Sequence, residues 1–111
     1  MTVKELADKQ MFKVTVWGNA PEKAVISNVF CCDLLSLAMG RAPAGCVWVT
    51  VISNINTLAV AALADAACIV LAENVSPDDK VIAKAKEKGI TVLQSEKPVF
   101  EAALSVWELI K

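Results

Sequence analysis

The chain has 111 residues, enough for one domain on the usual scale of about 100–200 residues each. Eleven Lys and Arg face twelve Asp and Glu for a formal charge of −1, and 56% of the residues are apolar. That balance excludes a disordered chain and lacks the basic footprint of a nucleic-acid binder. There is no histidine, which excludes Ser-His-Asp and Cys-His pairs and His-bearing zinc sites.

Thr2-x-x-Glu5 is a capping-box pattern and opens a first helix that runs to about Gln10. Lys13–Trp17 alternates, with Val14 and Val16 on one face, as a half-buried strand does. Gly18-Asn19-Ala20-Pro21 is a turn, and Val25–Phe30 follows as a second strand. Asp33 is placed to cap a short helix, Leu34–Met39, that Gly40 ends.

The pattern then becomes regular. Val47–Ile52 is a nearly unbroken β-branched and aromatic run. Ile55–Ala64 is helical and Ala-rich, with Asn54 as its cap. Ala67–Leu71 is another apolar strand. Ser76-Pro77-Asp78-Asp79 supplies a cap, a proline at the first helical position and acids in the first turn of a helix ending at Lys88. Gly89 takes the position after that helix, Ile90–Leu93 is a strand, and Pro98–Ile110 is a last amphipathic helix.

Strands alternating with helices over short connections predict a parallel sheet. Continuous apolar strands predict burial on both faces. The expected fold is α/β: a three-layer α/β/α sandwich, mostly parallel, with about five strands and right-handed crossovers. The first strand pair is expected to be antiparallel or peripheral.

Beyond Asn56 and Thr57, the helix Ile55–Ala64 has no polar residue. A helix apolar all round is covered all round. A second subunit is the expected cover, and burial under the chain's own helices is the alternative. A membrane is not expected: the most apolar stretch, Leu58 to Ala72, is broken by Asp65, and a spanning helix needs about 20 apolar residues. Met1–Gln10 is too polar for a signal peptide, so the chain reads as cytoplasmic. In that compartment Cys31, Cys32, Cys46 and Cys68 read as reduced core thiols.

Ligands of open α/β sheets bind outside the carboxyl ends of the strands. The sequence places Cys31, Cys32 and Asp33 there, then Ser53, Asn54 and Asn56, then Glu73 and Asn74, then Gln94, Ser95 and Glu96. This rim reads as carboxylates, amides and hydroxyls without a cation. Neither a G-x-x-x-x-G-K-[ST] loop nor G-x-G-x-x-G occurs. Adjacent Cys31-Cys32 is not a C-x-x-C motif, and Asp33 beside it opposes a thiolate.

Four segments in order carry a family resemblance. They are Cys32-Asp33-Leu34-Leu35-Ser36-Leu37-Ala38-Met39-Gly40-Arg41-Ala42, Val47-Trp48-Val49-Thr50, Asn54-Ile55-Asn56-Thr57-Leu58-Ala59-Val60-Ala61 and Lys84-Ala85-Lys86-Glu87-Lys88-Gly89-Ile90. Together they resemble the DRTGG domain, itself similar to the N-terminal domain of HPr kinase/phosphorylase, over essentially all of 1–111. The resemblance implies a three-layer α/β fold, frequent dimerisation and a regulatory role. The chain departs from the family twice. Glu22–Asn28, where the naming motif is expected, has no glycine pair, and Asn54 stands where relatives carry His. Both departures are expected near the strand-end rim.

The reading is therefore a single domain, not an enzyme, regulatory or sensory and homodimeric. A small metabolite or nucleotide is expected on Asp33, Ser36, Thr50, Ser53, Asn54 and Asn56. No catalytic residue, metal, cofactor or nucleic acid is implied. The alternatives are a ligand-free interaction module, self-paired or docked on a partner enzyme, and a thiol redox protein using Cys31 or Cys32.

Overall fold

The computed structural model describes residues 1–111. The elements in chain order are α1 (Val3–Asp8), β1 (Lys13–Val16), β2 (Asn28–Cys31), α2 (Leu35–Arg41), β3 (Cys46–Thr50), α3 (Ile55–Ala64), β4 (Cys68–Leu71), α4 (Asp79–Lys88), β5 (Thr91–Gln94) and α5 (Val99–Ile110). Five strands form one sheet in the order β1-β5-β4-β3-β2. Neighbours from β2 to β5 are parallel, and β1 joins β5 antiparallel with a bulge between Val14 and Val16.

The apolar runs become the centre of the sheet because both its faces are covered. In β3, Val47 and Val49 enter one core, while Cys46 and Trp48 enter the other. This is the period-two alternation of a pleated strand buried on both sides. The first core collects Val3 and Leu6 of α1 with Ala102, Ala103 and Val106 of α5. The second collects Ala38 of α2, Leu58 and Ala61 of α3, and Val81 and Ala85 of α4. The domain is thus the expected three-layer α/β sandwich.

The topology explains the layering. Each of the three crossovers between β2 and β5 steps one strand in the same direction. Crossovers of one hand that step one way stack their helices on one face. After β5 the chain leaves for the opposite face, where α5 packs across β2 and β3. That departure matters for the site below.

Several boundaries differ from the expected ones. The second strand starts at Asn28, not Val25, because Val25 bridges to Thr2 and the Ile26 N–H donates to the Met1 carbonyl. Asp33 does not cap α2: Leu34 holds that position with no side-chain bond, and Gly40 lies inside the helix. The cap of α4 is Asp78, whose carboxylate accepts from the Val81 N–H, rather than Ser76. Asn54 caps α3 as expected, accepting from the Asn56 N–H at 2.8 Å.

The apolar helix α3 is largely covered within the chain, since it lies between α2 and α4. Leu63 and Ile55 are its exposed large apolar side chains. No helix of the chain is long and apolar enough to cross a membrane.

Gly18 and Gly89 mark one close approach. A Cβ on Gly18 would stand 2.3 Å from the Gly89 carbonyl oxygen. Gly89 itself ends α4 in the left-handed region, at φ 69°.

Candidate functional site

The carboxyl ends of β2 to β5 share one edge of the sheet, and the rim has two unlike corners. At the β2/β3 corner, Asp33 is the organising residue. Its carboxylate accepts from the Thr50 hydroxyl at 2.6 Å and from the Val51 N–H at 2.9 Å. Thr50 is fully buried, and its hydroxyl oxygen accepts in turn from the Ile52 N–H. Beneath them the indole N–H of buried Trp48 donates to the Cys32 carbonyl at 2.9 Å. Asp33 thus ties the loop after β2 to the loop after β3.

The other expected residues surround this knot. Ser36 and Asn56 are exposed, as is Asn54, whose side-chain oxygen is committed to its cap. The Ser53 hydroxyl is buried without a hydrogen-bond partner. None of the six lines a cavity of the isolated chain.

The β4/β5 corner is open. Here the departing loops part company: β4 leads to α4 on one face, and β5 leads to α5 on the other. Such a divergence is a topological switch point, the place where open α/β sheets leave a crevice. One cavity, of about 240 Å³, lies at it, lined by Lys13, Asn74, Ser76, Gln94, Ser95 and Glu96. A second, of about 370 Å³, lies on the β1 side of β5, between Gln10–Lys13 and Gln94–Lys97. The Gln94 side chain spans the crevice, donating to the Val75 carbonyl and the Ser76 hydroxyl and accepting from the Thr15 hydroxyl. Glu73 and Asn74 beside it both have positive φ, 57° and 58°. Asn tolerates that region, whereas Glu adopts it at a cost.

Lys13 and Lys97 correct the expectation of a rim without cations. Because β1 is antiparallel, Lys13 pairs with Gln94 and reaches the carboxyl edge of the parallel strands. Only the pairing of β1 with β5 brings it there, and no local pattern in the sequence shows that pairing.

A second correction concerns Glu22–Asn28. This segment enters β2 from its amino end, opposite the rim. Lys23, Ala24 and Val25 line a cavity of about 340 Å³ there, with Asn19, Gly45, Asp65 and Gly89. Of the two departures from the family pattern, only Asn54 lies at the strand-end rim.

Only Cys46 and Cys68 are core thiols; Cys31 is exposed and Cys32 half-buried, because they stand at the end of the edge strand β2. Cys31, Cys46 and Cys68 are poorly suited to redox chemistry. Burial pushes the Cys46 thiol up to about 11 and the Cys68 thiol up to about 12. Burial, with Asp33 adding to it, also raises the Cys31 thiol. A reactive cysteine needs the opposite shift. No group of three or more Cys, Asp and Glu is arranged to hold a metal ion.

The DRTGG domain family model matches residues 7–109. The chain belongs to the DRTGG domain family. No curated protein matches the sequence. A solved structure with the same fold is the CBS and DRTGG regulatory region of Clostridium perfringens pyrophosphatase, complexed with its activator diadenosine tetraphosphate. The two superpose with a TM-score of 0.74 at 14% identity, over 93% of this chain and 44% of the other. This DRTGG domain therefore spans less than half of that matched chain, and the likeness is one of fold.

Proposed function

We propose that this DRTGG domain is a non-catalytic, homodimeric regulatory module that binds a small phosphorylated metabolite or nucleotide at the carboxyl ends of its strands. The observation that carries the reading is the β4/β5 switch-point crevice of about 240 Å³, lined by Lys13, with Lys97 on the adjoining cavity of about 370 Å³ beside β1. A lysine is a point charge suited to phosphate. At the other corner, Asp33, Ser36, Thr50, Ser53, Asn54 and Asn56 are proposed to complete the site. The nucleotide activator of the Clostridium perfringens regulatory region makes dinucleotides natural first probes.

The test is a melting-temperature screen with diadenosine tetraphosphate, ATP, AMP and phosphorylated sugars. A binder at 100 times its dissociation constant stabilises by about 2.7 kcal/mol, a shift of several degrees. Lys13→Ala should weaken that binder about tenfold, the worth of one charged hydrogen bond. No shift with any probe at millimolar concentration would sink the ligand reading.

A ligand-free interaction module is the second reading. The apolar groove between β2 and α5, with Phe100 and Trp107 exposed, favours it. Persistent thermal-shift silence together with tight self-association would select it.

A further inference from the structure

The two edges of the sheet are built differently. β1 is bulged and begins with Lys13. Bulges and edge lysines are devices that keep strands from pairing with other chains. β2 has neither: Asn28–Cys31 reads Asn-Val-Phe-Cys, uncharged and in unbroken register with β3. Its Val29 N–H is covered only by the side chain of adjacent Asn28, at 2.8 Å.

Exposed apolar side chains gather on both sides of this bare edge. On one face, Phe100, Leu104 and Trp107 of α5 fall at i, i+4 and i+7, a single stripe. With Val29, Cys31, Ala103 and Asn28 they line an uncharged groove of about 270 Å³. On the other face, Leu34 and Leu37 of the α2 region, three residues apart, are exposed where the chain leaves β2.

We propose that the β2 edge and its flanking α5 and α2 faces form a self-association surface whose partner is a second copy of this chain. The assignment gives the homodimeric part of the proposed function a location and is independent of its ligand part. Pairing β2 with a second β2 antiparallel puts the two-fold axis perpendicular to the sheet. One rotation then sets α5 against α5 on one face and α2 against α2 on the other, as an isologous interface requires. An uncharged groove opposes no like charges when it meets itself. These five side chains expose on the order of 500 Å², in the upper part of the range of about 300–600 Å² for a monomer's largest patch. With the strand edge added, this approaches the roughly 800 Å² that each partner gives a standard interface. The four-residue strand fixes register, and the side chains supply the area.

Analytical ultracentrifugation of the whole chain tests the surface. The wild type should sediment at twice the 11.8 kDa protomer mass. Phe100→Glu and Trp107→Glu should each raise the dimer dissociation constant at least about thirtyfold, as loss of a hot-spot residue does. Leu63→Glu on α3 should leave it unchanged. Hydrogen exchange gives a second readout without substitution: amides of residues 28–31 should gain protection as protein concentration rises. A monomeric wild type would overturn the homodimer altogether. A dimer that resists the α5 variants, whatever Leu63→Glu does, would overturn this surface alone. Neither result bears on the thermal-shift screen for ligands.

Discussion

The two corners of the strand-end rim solve the same problem in opposite ways. Every parallel strand delivers polar chain to that edge, and its groups must find partners. At the β2/β3 corner the protein supplies them itself: Asp33 accepts from Thr50 and Val51, and Trp48 donates to Cys32. At the β4/β5 corner the loops diverge, and two lysines stand beside water-accessible space. A polar rim is therefore not a site by composition. The corner richest in recognisable polar residues is the one most occupied with holding the fold.

Substitutions can break this contrast, beginning with the largest effect. Trp48→Ala should cost about 3–5 kcal/mol, since it removes a fully buried indole beneath the closed corner. Chemical denaturation would read it as a lower midpoint at an unchanged slope. Asp33→Ala should cost about 1–2 kcal/mol by stranding the buried Thr50 hydroxyl. If its stability equals wild type, the closed corner is not a structural knot. Asn54→Ala should cost about 1 kcal/mol, and Asn54→Gly only a few tenths, because the side chain acts as a helix cap. At the open corner, Lys13→Ala should stay within about 0.5 kcal/mol of wild type. A larger loss would make Lys13 structural and remove the contrast. Cys31 should react slowly with iodoacetamide near neutral pH, since its raised thiol is mostly protonated. Rapid native labelling would revive the redox reading.

The sequence carried the architecture well, for a physical reason. Runs such as Val47–Trp48–Val49 have the composition of strands buried on both faces, and Asn54 and Gly89 have the chemistry of helix ends. The failures share another cause: apolar or polar character shows what a residue seeks, not which partner reaches it first. Val25 and Ile26 look like strand residues, but the N-terminal segment engages them before β2 begins. Asp33 has the chemistry of a cap, yet β3 offers it a hydroxyl and an N–H. Asp78 and Ser76 both fit a helix start; Ser76 is held instead by Gln94 across the crevice. Lys13 was hidden because its place depends on β1 pairing with a strand about 80 residues away.

The core shared by α1 and α5 couples two helices that are far apart in the chain. Val3 and Leu6 of α1 and Ala102, Ala103 and Val106 of α5 bury against the same cluster. A change that loosens α1 therefore reaches α5 through packing alone, and α5 in turn lies across β2.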